Sequence, residues 1–247
     1  MSSSRRGTLE TAVAWGDTST WWDWATRCLT LSAAASGLPM ADCAVFGGIW
    51  RRQTHFLARA HGAAFVAPLS EIHSTSVVVA PRVVGVTNRS FSWACDITRG
   101  RDDRLLATTR GTFVHVDATQ SRAEPMPAVV LEELAPLVRD EPRPPPPPAV
   151  FPPPAAVDWR SRVRRSDADA FKHINNAKWA LLAADAAHTA RRSPIAAISA
   201  IDVDYRSPAR PGAELTAAVA EVGGRMRVEL AADGAPTTVV DFAVADG

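Results

Sequence analysis

The stretch that most limits how this chain can fold is Pro142-Arg-Pro-Pro-Pro-Pro-Pro-Ala-Val-Phe-Pro-Pro-Pro154. Proline has no N–H to give to a sheet ladder, and its ring clashes inside a helix, so no core element can run through it. The segment is predicted to lie extended as polyproline, rising about 3.1 Å per residue and reaching roughly 40 Å. Residues 136–156 therefore read as a semi-rigid linker, with one folded part over 1–135 and a second over 157–247.

Both parts show the same order of elements. In the first, residues 8–15 have strand character and residues 22–36 form a helix candidate, with Asp23 near its start and Gly37 at its end. Residues 48–60 and 73–80 look extended. Phe91, Trp93, Cys95 and Ile97 then alternate with Ser92, Ala94 and Asp96, the period of two of a strand with one buried face. Residues 105–116 follow after the polar turn 99–103 and complete a hairpin. In the second part, a strand over 159–165 precedes an alanine-rich helix over 175–191. Four strands follow, over 198–206, 213–222, 225–230 and 237–244, and Gly223-Gly224 marks a tight hairpin between two of them. One strand, one long helix and an antiparallel run, given twice, predicts an α+β pseudo-dimer with each sheet wrapped around its helix. Its exposed sheet edges leave room for further self-association.

Charge and cysteine content exclude several functions. With 27 basic and 26 acidic residues the net charge is +1, and no basic tract provides the footprint of a nucleic-acid binder. Cys28, Cys43 and Cys95 have no metal-ligand spacing, so no metal is expected and the thiols read as free in a reducing cytoplasm. The N-terminus leads into polar residues without the apolar core of a signal peptide. No uncharged apolar run reaches the ~18 residues of a membrane span. A soluble, cytoplasmic protein is expected.

The most informative stretch is Arg164-Arg-Ser-Asp-Ala-Asp-Ala-Phe-Lys-His-Ile-Asn-Asn-Ala-Lys-Trp179. It resembles the start of the second hot-dog repeat of acyl-ACP thioesterases, where an Arg-rich strand leads to Asp-x-Asp-x-x-x-His-Val-Asn-Asn. Residues 85–97, 105–116 and 125–134 look like the close of that family's first repeat, and Asp202-Val-Asp-Tyr-Arg206 like the strand after its second helix. The resemblance implies a tandem (double) hot-dog fold of two antiparallel sheets, each around a long helix. It also implies an enzyme acting on an acyl group held as a thioester on acyl carrier protein or coenzyme A, as in bacterial polyketide or fatty-acyl pathways. No cofactor is expected beyond the phosphopantetheine or CoA that the substrate carries.

Transferred position by position, the resemblance assigns catalytic roles to Asp169 and His173. The family's intervening Asn is Phe171 here, and its later Glu or Cys falls among Ser207, Pro208 and Ala209, none of which is acidic or a thiol. Two polar groups are thus replaced, and His55, on a strand that in this fold faces the other repeat's helix, is a candidate replacement acid/base. His61, His73, His115 and His188 read as surface or packing residues. Asn175 and Asn176 at the helix start suit capping or substrate contact. Trp50, Arg51, Trp179 and Arg206 are candidate substrate-binding residues. Trp21, Trp22 and Trp24 read as core or acyl-pocket walls, with bulk that suits a short or medium chain. Arginines 51, 52, 59, 164, 165 and 206 read either as a solvated basic face or as contacts for the carrier or its phosphate.

Three functions remain open from the sequence. The first is plain hydrolysis. The second adds an amino acid such as glycine to an α,β-unsaturated acyl thioester before hydrolysis, which would use a His base and an Arg for the co-substrate's carboxylate. The third is a non-catalytic acyl-binding module.

Overall fold

The computed structural model describes residues 9–11, 25, 28–30, 55–67, 76–117, 122–138, 150–168, 173–191, 195 and 197–244. Contacts group the chain into two compact units. Most of the proline strap, including 142–149, lies outside the described residues, as do Trp21, Trp22, Trp24 and His73.

The first unit is built on antiparallel strands. β1 (Leu9–Thr11) pairs with β3 (Val77–Val86), β3 with β4 (Ser90–Arg99), and β4 with β5 (Leu105–Val116), while β2 (His55–Phe65) lies next to β5 in the sheet order. β4 alternates as its sequence predicts: Phe91, Trp93, Cys95 and Ile97 are buried. The Trp93 ring lies across Gly111, its partner on β5, so tightly that an added Cβ there would sit 2.6 Å from Trp93 Cε2. His61 meets the ring edge-on at 5.0 Å, and Phe113 flanks it at 6.3 Å. Burial pushes the His61 imidazole down to about 3, so it is neutral in the folded unit. The cost of taking an imidazolium out of water is avoided by staying deprotonated. A short helix absent from the sequence expectation, α1 (Ala128–Leu134), turns Val130 and Leu134 inward after β5. Its seven residues are too few for periodicity to reveal.

The second unit has the strand order β7–β10–β9–β8–β6, all antiparallel. β6 is Ala155–Arg162, β7 Ile198–Tyr205, β8 Glu214–Val222, β9 Arg225–Ala232 and β10 Ala235–Val244. Residues 155 and 156 therefore belong to a strand and not to the linker. Once the last proline is passed, backbone N–H groups return and the two alanines pair with Val219 and Ala218. Conversely, the strand expected to run to 165 stops at Arg162 and gives way to a 3-10 turn over Arg165–Asp167. Gly223 and Gly224 have φ of +52° and +72°, the left-handed pair that joins β8 to β9.

α2 (Asn176–Ala190) packs on this sheet. Its buried face is Ala177, Trp179, Ala180, Ala183, Ala184, Ala186 and Ala187, opposed by Ile201, Val203, Leu215, Met226, Val228, Leu230, Val240 and Phe242 on the strands. A methyl-sized side chain lets the helix axis approach the sheet closely, so the larger strand residues fill the space. Trp159 of β6 donates its indole N–H to Asp185 of α2 at 2.8 Å, which fixes the rotation of the helix over the edge strand. On the opposite face, Asp241 holds the Arg227 guanidinium through two bonds of 2.8 and 2.7 Å. Phe151 stacks over that guanidinium at 4.5 Å, tying the end of the strap to the sheet. Among the described residues no helix is long and apolar enough to cross a membrane.

Candidate functional site

The amino end of α2 is fixed by a set of short-range bonds. Asp167, closing the 3-10 turn, accepts the Arg164 N–H on its carboxylate at 2.9 Å and the Asn175 N–H on its carbonyl at 2.8 Å. Ala168 pairs with Ile174 in an antiparallel bridge, which pinches the base of the loop 169–173. The Ile174 N–H donates to Ala209 O at 3.1 Å, so the loop base is bonded to the segment leaving β7.

Asn175 is the N-cap: its Oδ1 accepts the Ala177 N–H at 3.0 Å, while its own carbonyl accepts Lys178 N–H at 2.8 Å. Asn176 is half-buried, and its carbonyl accepts the hydroxyl of Tyr205 at 3.1 Å. Burial pushes the Tyr205 phenol far above its usual range, so it remains a donor at all physiological pH. Tyr205 is the chain's single tyrosine, and the alternation Ile201, Val203, Tyr205 puts it on the helix-facing side of β7. That alternation was present in the sequence and marks Tyr205 as a buried-face residue, though not its partner.

The remaining candidates are placed as follows. His173 is half-buried at the base of the loop. Asp169, Phe171, Trp50 and Arg51 lie outside the described residues. His55 opens β2, and its side chain lies outside the described residues too. Trp179 is buried at 3% exposure within the α2–sheet contact, the position of a core residue. Arg206 is exposed and its guanidinium pairs with Asp204 at 3.3 Å.

Next to the loop base is an open cleft of about 420 Å³, between the segment Ser207–Ala213 and the turn joining β9 to β10. Ala209 lines it and is itself buried at 3%. Together these features give a helix start whose positive dipole end and backbone N–H groups favour developing negative charge. The same short stretch carries His173 and, through the Ile174 N–H to Ala209 O bond, adjoins the open cleft. Among the described residues no group of three or more His, Cys, Asp or Glu side chains converges as a metal site would require.

Residues 155–237 match the family model of the acyl-ACP thioesterase C-terminal domain. No curated protein sequence matches the chain. Among solved structures, the 12:0-ACP thioesterase from Umbellularia californica superposes with a TM-score of 0.73 at 14% identity, covering 97% of each chain. An acyl-ACP thioesterase from Bacteroides thetaiotaomicron superposes with a TM-score of 0.71 at 14% identity, covering 96% of this chain and 97% of that one. The matched family is one of thioester hydrolases. Residues 155–237 are thus similar to the acyl-ACP thioesterase C-terminal domain, and the chain has the acyl-ACP thioesterase-like hot-dog fold, with a large antiparallel sheet and few helices.

Proposed function

We propose that this protein hydrolyses an acyl thioester carried on acyl carrier protein or coenzyme A, releasing a carboxylic acid in the cytoplasm. The observation that carries this is the bonded start of α2, where the Ala168–Ile174 bridge and the Ile174 N–H to Ala209 O bond join the helix start to the segment lining the cleft. In this reading Asp169 and His173 act together: one orients the other or a water molecule. Water oxygen attacks the thioester carbonyl, the developing oxyanion is stabilised at the helix start, and the C–S bond breaks. The thiolate leaves with a proton, so ester and water become acid and thiol. No cofactor is needed beyond the substrate's own pantetheine arm. Asn175 serves this site by capping the helix, and His55 stands as a second acid/base candidate. We assign the chain a tandem hot-dog architecture, with repeats over 1–135 and from β6 at Ala155 to 247, joined by the Pro-rich strap.

One observation favours a second activity. By the resemblance, the family's acid or thiol position falls among Ser207, Pro208 and Ala209, and Ala209 is buried and accepts the Ile174 N–H on its carbonyl. A site with fewer polar groups suits addition of an amine such as glycine to an α,β-unsaturated thioester before hydrolysis. Incubation with saturated and enoyl thioesters, with and without glycine, separates these possibilities by thiol release and product mass. Free thiol from the saturated substrate supports plain hydrolysis; release only from enoyl substrate with glycine supports addition first. No thiol in any mixture rejects both and leaves an acyl-binding module.

A further inference from the structure

Tyr205 ties the start of α2 to the strand beside it. It closes β7, is 9% exposed, and its hydroxyl lies 3.1 Å from the carbonyl of Asn176, the first residue of the helix. Burial keeps the phenol protonated, so the hydroxyl donates and the carbonyl accepts. Beyond Tyr205 in the chain, Ala209 O takes the Ile174 N–H at 3.1 Å. The exit of β7 therefore holds the chain on both sides of the cap residue Asn175. The exit is itself anchored, because Thr237 O accepts the Arg206 and Ser207 N–H groups at 2.8 and 3.1 Å.

At the helix start, the Asn175 N–H donates to Asp167 O, the Ala177 N–H to Asn175 Oδ1, and the Lys178 N–H to Asn175 O. The Asn176 N–H, at the first helical position, has no acceptor within the helix and meets none among the described residues. Its direction is set by the peptide planes around it. The plane that carries it is held through Asn175 O, and the next plane through the Tyr205 hydroxyl on Asn176 O. That second plane also carries the capped Ala177 N–H, so its two hydrogen bonds polarise one another.

We propose that Tyr205 is a positioning residue for thioester hydrolysis: its hydroxyl, bonded to Asn176 O, fixes the first peptides of α2 so that the Asn176 N–H keeps the direction in which it meets the thioester oxygen. This rests on the hydrolase function above and adds a residue to it. Thr238 provides the contrast on the same wall. It is the cross-strand partner of Tyr205 on β10, is 1% exposed, and its Oγ1 has no hydrogen-bond partner. Both positions bury a hydroxyl beside the helix, and the one on Tyr205 is bonded to it. The competing explanation is that the Tyr205 bond only adds to the packing of α2 on its sheet.

The test is Tyr205→Phe, which keeps the ring and deletes the oxygen, with Thr238→Val as the control that deletes an unbonded hydroxyl at nearly constant volume. Both are assayed on a saturated acyl-pantetheine thioester and followed by urea unfolding. Positioning predicts a kcat about tenfold or more lower in Tyr205→Phe, with KM little changed because the pantetheine arm and acyl chain bind as before. Thr238→Val should keep the native kcat. A native kcat in Tyr205→Phe, with or without a lower unfolding midpoint, overturns the proposal while leaving hydrolysis intact. An equal fall in both variants overturns it too, since an unbonded hydroxyl would then matter as much. Should the native protein release no thiol, the hydrolase function fails, and the helix start is read by itself with a non-hydrolysable acyl-pantetheine amide. In isotope-labelled protein, a shift of the Asn176 amide resonance on binding that Tyr205→Phe abolishes supports the positioning role. The same shift in both proteins, or none in the native one, overturns it.

Discussion

His61 makes the first unit sensitive to acid in a way that can be calculated. Its imidazole is 5% exposed, set edge-on against Trp93, and burial lowers its pKa from 6.5 to about 3. A base whose folded pKa is depressed leaves stability intact above its unfolded pKa and removes it as pH falls below that value, because the unfolded chain gains a proton the folded one refuses. The window is therefore between about pH 6.5 and pH 3. From about pH 7.5 to pH 5 the loss is about 2 kcal/mol, and it grows toward about 5 kcal/mol near pH 3. Carboxylates titrate in the same range, so the variant His61→Gln, which cannot titrate, serves as reference. Urea unfolding of both proteins at a series of pH values gives the difference directly. The native protein should lose about 2 kcal/mol more than the variant between pH 7.5 and pH 5. Parallel pH profiles would show that His61 is free to protonate in the folded state and that its burial has been misjudged.

Three other changes give defined outcomes. Gly111→Ala forces a Cβ into the Trp93 ring and should cost about 1–3 kcal/mol in thermal or urea unfolding, with altered tryptophan emission; native stability would contradict the packing. Asn175→Ala removes the cap on Ala177 N–H and should cost about 1 kcal/mol, while Asn175→Ser restores most of it. Equal losses in both variants would mean that Asn175 acts otherwise than as a cap. Phe151→Ala removes the ring from Arg227 and should cost about 1 kcal/mol, with faster proteolytic cleavage in the proline strap; an unchanged cleavage rate would mean the strap is held elsewhere.

Most of the second unit could be read from its sequence. Alternation in 198–205 and 225–230, together with Gly223-Gly224, fixed strands and turn because those signals arise within a few residues. Asp233-Gly234, with φ of +49° and +82°, is a turn of the same kind, and its Asp-Gly signal was equally available. The position of Asn175 as a cap followed from residue type and the onset of the helix. By contrast, the burial of His61, the Trp159–Asp185 bond and the reach of Tyr205 to Asn176 depend on residues 26 or more positions apart or on neighbouring strands. Pattern within a segment carries no information on such pairings. The helix over 128–134 was missed for the opposite reason, being shorter than two helical turns.

The most direct measurement is the turnover of a saturated acyl-pantetheine thioester by the native protein and by Asp169→Ala and His173→Ala, each checked for native unfolding behaviour. If water is activated in the loop pinched by Ala168 and Ile174, both variants should lose about 100-fold or more in kcat. Full activity in both would move the chemistry away from this helix start.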